Sequence, residues 1–266
     1  MHGKTFATRL FVALRRFLLL VFPMILFCCS VCIACGQGIF LPDSTCRSDS
    51  SVVYVYNTLG ITALPVKHGF EYVFTPRDVP AVSDIAHTMN FRFVINASFF
   101  EGERLNAQHA GWFKVRGTRY APIMKDRQLT HVVVFDPEAN TIAFIPWQKF
   151  HSGPGRTTIE FQTGPLVVDS NRVAQKLIDG SINGSGKYTR TLLALTNTSE
   201  LWFITVRKPV SLGELGEYLL SLSIFHNKRL DVVNLDGGPS VAFYAQPFPK
   251  LNFNTDDHLP LLLGVR

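Results

Sequence analysis

The sequence predicts an α+β fold, with a mixed, largely antiparallel β-sheet core and a few packed α-helices in a single domain over residues 52–266. Three observations carry this reading. Short β-branched or aromatic runs bounded by turn residues recur along the whole segment. Only two stretches show helical periodicity. These helices do not alternate strictly with strands, as a doubly wound parallel sheet would require. The full chain is 47% hydrophobic, and the roughly 220 residues left after the leader can fill one large core.

Strands are predicted at Val52–Tyr56, Phe70–Phe74, Phe91–Ile95, His131–Phe135, Thr141–Ile145, Leu166–Val168, Leu192–Thr196, Leu201–Val206, Leu230–Leu235 and Val241–Tyr244. Pro137-Glu138-Ala139-Asn140 reads as a hairpin turn, and Thr198-Ser199 as another. Asp78 can cap a first helix in which Val82, Ile85, Ala86 and Met89 recur at helical spacing. Ser211 and Glu214 have capping-box spacing ahead of Leu215, Leu219 and Leu222, which share one face of a second helix.

The first 35 residues differ from the rest. Lys4, Arg9, Arg15 and Arg16 precede an uncharged run from Phe17 to Ala34, and no acidic residue occurs before Asp43. A basic leader followed by an apolar run is the pattern of a secretory signal, and the run is nearly long enough to serve as an uncleaved anchor. Either reading exports the remainder to the periplasm or the outer face of a membrane, held there through its N-terminal signal, lipid or anchor. Cys28, Cys29, Cys32 and Cys35 lie in or at the end of this segment. Ala34-Cys35-Gly36 resembles the end of a lipoprotein signal, which makes Cys35 a lipidation candidate. Residues 36–51, rich in Gly, Ser, Asp and Pro, read as a tether.

The overall charge of +6 is largely a property of the leader. Lys and Arg number 26 against 20 Asp and Glu, but four of the basic residues lie in the leader, which leaves 22 against 20. A mixed surface without a basic run excludes nucleic acid as the default partner. No His-x-His, His-Glu-x-x-His, Gly-x-Ser-x-Gly or nucleotide-loop pattern is present, so neither a metal nor a cofactor is expected.

Four segments place polar or glycine residues at the ends of buried strands, where a rigid scaffold presents functional groups. In Val94–Phe100 a strand ends in Asn96, whose amide can orient a hydroxyl or a carboxyl. Read alone, Asn96 closes a turn, and Asn96-Ala97-Ser98 is also a glycosylation sequon. Gln162-Thr163-Gly164-Pro165 is a turn-to-strand signal. Arg190-Thr191 opens an apolar strand after the Gly180–Lys187 loop, and a guanidinium there can either hold a phosphate or form a rim salt bridge. In Leu235-Asp236-Gly237-Gly238-Pro239-Ser240 the carboxyl follows a buried strand, and the glycines permit a tight backbone with N–H groups aimed at an anion. A plain Asp-Gly hairpin is the simpler alternative.

In this order the four segments resemble the phosphodiester glycosidase family, whose pattern runs Asn-Gly-x-Phe-Phe, Gln-x-Gly-Pro, Arg-Thr and Leu-Asp-Gly-Gly-Gly-Ser. Gly111–Gly117 resembles the glycine-bounded stretch that follows the first motif. The chain departs from the pattern at Ala97 and Pro239, where glycines are usual, and at Leu193 and Ala194 after Arg-Thr. The resemblance implies an envelope hydrolase that cleaves a phosphodiester-linked glycan, a sugar-1-phosphodiester, at its anomeric carbon. It implies Asp236 as the carboxylate near that carbon, Arg190 beside the departing phosphate and Asn96 as an orienting catalytic group. Gln162, Gly164, Thr191, Gly237, Gly238 and Ser240 would form the substrate cradle. Glu160 and Asp169 flank the second motif without an assigned role. Ala97 and Pro239 motivate the alternative of a non-catalytic envelope protein that binds an anionic or phosphorylated glycan.

Overall fold

Two apolar faces on one strand require two partners, and the longest strands of this chain have both. In Tyr188–Thr196, Leu201–Val210 and Leu230–Asn234, the residues Leu193, Phe203 and Val233 enter one core while Leu192, Ile204 and Val232 enter another. A sheet covered on both faces reads as continuous apolar runs, which is how these strands appear in the sequence. The computed structural model describes residues 38–266 apart from 49, 68, 75–79, 104, 105, 154, 156, 181, 183 and 255–257. The leader, Cys35 and Asp78 therefore lie outside the described residues. The chain divides into units 1–39 and 40–266, and the sheets belong to the second.

The largest sheet has eight strands in the order Ser44–Ser48, Ser51–Tyr56, Ile61–Val66, Leu201–Val210, Tyr188–Thr196, Leu230–Asn234, Leu166–Asp169 and Arg172–Val173. A five-stranded sheet runs Thr141–Pro146, His131–Asp136, Ile159–Thr163, Phe113–Val115 and Thr118–Ala121. A second five-stranded sheet runs Phe253–Asn254, Ala242–Ala245, Phe93–Asn96, Leu261–Val265 and Glu71–Phe74. Leu64, Leu193 and Phe203 from the first, Phe113, Val133 and Phe161 from the second, and Phe93, Ile95 and Leu263 from the third share one core. The helix Leu212–Ser221 covers the other face of the large sheet through Leu212, Leu215 and Leu219, and Val82–Thr88 packs Val82, Ile85 and Ala86 on Val94 and Leu262. Each fully buried leucine contributes about 2 kcal/mol.

The expectation of a mixed sheet is corrected. The ladders between these strands are antiparallel, and among the described residues a single parallel bridge joins Phe40 to Leu222. Tight turns link many neighbouring strands, as at Pro137–Asn140 between Asp136 and Thr141, whereas parallel pairing needs long crossovers. The protein is mostly antiparallel β-structure with few helices. The tether over 36–51 is also shorter than its composition implies. Ser44–Ser48 pairs with Ser51–Tyr56 as an edge strand, where polar residues suit the exposed side and half-buried Cys46 packs on the core.

The capping box at Ser211 and Glu214 is present: Ser211 Oγ accepts from Glu214 N at 3.3 Å, and Glu214 Oε2 accepts from Ser211 N at 3.2 Å. Leu222 is the C-cap of that helix and lies outside its last turn. The first helix begins at Val82 behind Ala81, where no side chain caps it.

Candidate active site

Asp236 sits where two sheets meet. The strand Leu230–Asn234 pairs with Tyr188–Thr196 on one side, and Leu235 N extends that pairing by donating to Thr191 O at 2.8 Å. One residue later Asp236 N donates to Ala97 O at 3.2 Å, so the chain crosses to the end of the strand Phe93–Asn96 in another sheet. The junction is held by Asn96. Its Nδ2 donates to Asp236 O at 2.8 Å and to Ala97 O at 3.4 Å, while its Oδ1 accepts from the Thr191 hydroxyl and from Ala242 N at 3.1 Å.

The second motif joins from the opposite flank of the strand. Gly164 N donates to Asn234 O at 3.1 Å, Thr163 Oγ1 donates to the same carbonyl at 2.8 Å, and Asn234 Nδ2 returns a bond to Gly164 O at 3.2 Å. Ser98 Oγ donates to Gln162 O at 2.7 Å and ties the first motif to the second. The fourth segment is tied to the third when Thr189 Oγ1 donates to Gly238 O at 2.8 Å. Hydrogen bonds thus tie all four motifs to the one junction that carries Asp236.

The Asp236 carboxyl is largely withdrawn from water. Burial pushes it up from 3.8 to about 6, against the opposing effects of the Ser240 hydroxyl and of Gly237 N, which donates to Oδ1 at 2.8 Å. Arg190 lies on the neighbouring strand, and burial lowers its pKa. A Cβ on Gly237 would stand 2.8 Å from Thr189 O and 3.6 Å from Arg190 Cδ, so the arginine stem packs along the turn that follows the carboxyl. Arg190 Nη2 donates to Gly186 O at 2.7 Å, the guanidinium carbon lies 5.1 Å from the Tyr188 ring centroid, and Nε has no partner among the described residues. No ion pair joins Arg190 to Asp236. Gly238 has φ +58, which favours glycine, and a Cβ there would meet no atom within 4 Å, so this side of the turn is open.

Several residues read as ligand-facing act instead on the protein. Asn96 is 2% exposed and its amide is saturated, so it positions the Asp236 backbone and has no capacity left for a sugar hydroxyl. Thr191 is fully buried and spends its hydroxyl on Asn96. Gln162 is fully buried as well. Its Oε1 accepts from Trp112 N at 3.0 Å and Met124 N at 2.9 Å, and its Nε2 donates to Met124 O at 2.7 Å and Leu129 O at 2.8 Å. Gly164 has φ +149, and a Cβ would fall 2.4 Å from Gln128 O, so glycine is required there by packing. Glu160 is neutralised by Lys114 at 3.2 Å and receives Thr158, Trp112 and Ser152, while Asp169 is exposed near the outer edge of the large sheet.

Two buried groups near this junction carry no sequence signal. Tyr72 Oη makes no hydrogen bond of good geometry among the described residues. Burial holds its phenol well above 10, opposed by the Ser98 backbone nearby and added to in small part by the Asp236 charge. The His109 ring lies 5.9 Å from that of Tyr72, and its Nε2 is likewise unpartnered. Tyr72 is on the short strand Glu71–Phe74 and His109 on the two-residue strand Gln108–His109, too short for periodicity to expose them.

Fold and site together define a β-rich domain with a largely buried carboxyl, that of Asp236, at a junction of sheets. The family model for phosphodiester glycosidases matches residues 89–261, and the chain belongs to that family. Among solved structures it is similar to the catalytic domain of zebrafish N-acetylglucosamine-1-phosphodiester alpha-N-acetylglucosaminidase, auto-inhibited by its pro-peptide. That likeness has 10% identity and a TM-score of 0.55, and covers 84% of this chain and 81% of the zebrafish chain. It is also similar to a hypothetical protein from Synechocystis at 12% identity and a TM-score of 0.51, over 84% of this chain and 61% of that one. No curated protein matches the chain.

Proposed function

We propose that the chain is an exported hydrolase that cleaves a sugar-1-phosphodiester at the anomeric carbon, with Asp236 as the reacting carboxyl and Arg190 beside the departing phosphate. The observation that carries this reading is the position of the Asp236 carboxyl, pushed up to about 6 by burial, at the junction to which all four motifs contribute. Family membership supports the reaction class. The basic, apolar leader with Cys35 at its end supports export and attachment to a membrane.

A phosphate monoester departs readily, so proton donation to the leaving oxygen matters less than for an ordinary glycoside. Ionised Asp236 takes a proton from water as the water oxygen bonds to the anomeric carbon. The bond from that carbon to the phosphate oxygen breaks, and its electron pair leaves with the phosphate. The Arg190 guanidinium, which has no carboxylate partner among the described residues, offsets the charge that develops there. Gly237, open Gly238 and Ser240 shape the turn around the carboxyl, while Asn96, Thr191, Gln162 and Gly164 hold that turn from behind.

The test is release of reducing sugar from a panel of sugar-1-phosphodiesters. The reading expects turnover that rises with pH through about 6 and is lost in Asp236→Asn. Equal turnover by wild type and Asp236→Asn would remove the role given to this carboxyl. Calorimetric binding of glycan without turnover across the panel would favour the non-catalytic binder instead.

A further inference from the structure

A cationic cleft runs up to the loop that holds Arg190. Two adjoining cavities, of about 260 and about 310 Å³, share Arg127 and Ile182. Lys125, Arg127 and Lys176 line them against one carboxylate, that of Asp126, whose Oδ1 is engaged by Gln128 N. Lys125 and Arg127 are exposed and form no ion pair among the described residues. The half-buried Trp147 lies in the same lining. The cleft continues along Gly184 and Ser185, and the next residue, Gly186, accepts from Arg190 Nη2. On its inner side, Gln128 closes against Gly164, which is bonded to the Asp236 strand through Asn234.

We propose that this cleft binds the aglycone side of the substrate and takes a second phosphate there, so that the natural substrate is linked through more than one phosphodiester. The proposal rests on the hydrolase reading above. A neutral aglycone would leave Lys125 and Arg127 without a partner, whereas a phosphate matches the forked donors of an arginine with a lysine beside it. Trp147 offers an aromatic face to the pyranose ring that spaces one phosphate from the next. The cavity sizes suit segments of a small ligand.

The experiment compares two substrates on the full chain: a sugar-1-phosphodiester with a methyl aglycone, and one whose aglycone carries a second phosphate. In the double variant Lys125→Ala/Arg127→Ala, KM for the second substrate is expected to rise about tenfold at low salt, with kcat unchanged. The methyl substrate should be unaffected, and raising the salt should shrink the difference. Equal effects on both substrates, or on neither, would overturn the proposal. Calorimetry with inorganic tripolyphosphate gives a readout that needs no turnover. Binding by wild type that weakens about tenfold in the double variant supports an anion cleft, and no binding by wild type overturns it. If tripolyphosphate binds through these two residues while no sugar-1-phosphodiester is turned over, the hydrolase reading fails and the anion site stands by itself.

Discussion

Asp236→Asn should separate the wild type from the variant in stability as well as in activity, and the stability arm needs no substrate. In the folded protein burial raises this carboxyl from 3.8 to about 6. Between those values the native state holds a proton that the unfolded chain releases, so stability falls as pH rises through this window. The full displacement corresponds to about 3 kcal/mol, of which about 2 kcal/mol falls between pH 4 and pH 8. Asparagine keeps the shape and an oxygen to accept from Gly237 N, but it has no charge to bury. Urea unfolding of both proteins at pH 4, 6 and 8 reads the difference directly. The variant should gain about 2 kcal/mol on the wild type over that range, with most of the change below pH 7, while sugar release falls at least a hundredfold. Unfolding midpoints that move in parallel at every pH would refute the argument that burial of this carboxyl is uncompensated.

Asn96→Ala leaves the Asp236 carbonyl, the Thr191 hydroxyl and Ala242 N without their partner inside the protein, and should cost about 3 kcal/mol by urea unfolding. A loss below about 1 kcal/mol would show that the junction does not depend on this amide. Gly237→Ala places a methyl 2.8 Å from the Thr189 carbonyl, so the turn must shift; turnover should drop at least tenfold with the fold retained by circular dichroism. Burial lowers the His109 and His131 imidazoles from 6.5 to about 4. Stability from these two groups is present above pH 6.5 and lost as pH falls toward 4, opposite in sign to Asp236, and NMR titration should find both rings neutral at pH 5.5.

Asp236 was legible because its signals are local. A run of buried β-formers ends, a carboxyl follows and two glycines turn the chain, all within one short window of sequence. Its place beside Thr191 and Ala97 could be anticipated only from the ordered motifs, since the bonds that join them span three segments. The real duties of Asn96 and Gln162 were not legible. Both are amides able to face a ligand, and what assigns them to the scaffold is the supply of partners from distant segments: Asp236, Thr191 and Ala242 for one, and Trp112, Met124 and Leu129 for the other. The strand Ile61–Val66 was masked by Pro65, which breaks the pattern of a central strand. Pro65 pairs with Trp202 on one side, and the ladder to Ser51–Tyr56 on the other side spans only Ile61 to Ala63.

The two departures at glycine positions of the family pattern, Ala97 and Pro239, acquire a physical meaning at this junction. Ala97 is fully buried and belongs to the shared core, so its methyl fills space behind the site while its carbonyl still accepts from Asp236 N. Pro239 is exposed and stands in the first positions of the short 3-10 turn Gly238–Ser240, where a helical turn makes no internal use of the missing N–H. Gly238 keeps its positive φ and its open side. Neither substitution breaks the bonds that hold Asp236 at the junction. Pro239 does remove one backbone donor from the turn. A substrate held mainly by backbone N–H groups there would bind less well, and in the proposed cleft Lys125 and Arg127, unpaired among the described residues, would give a second grip on phosphate.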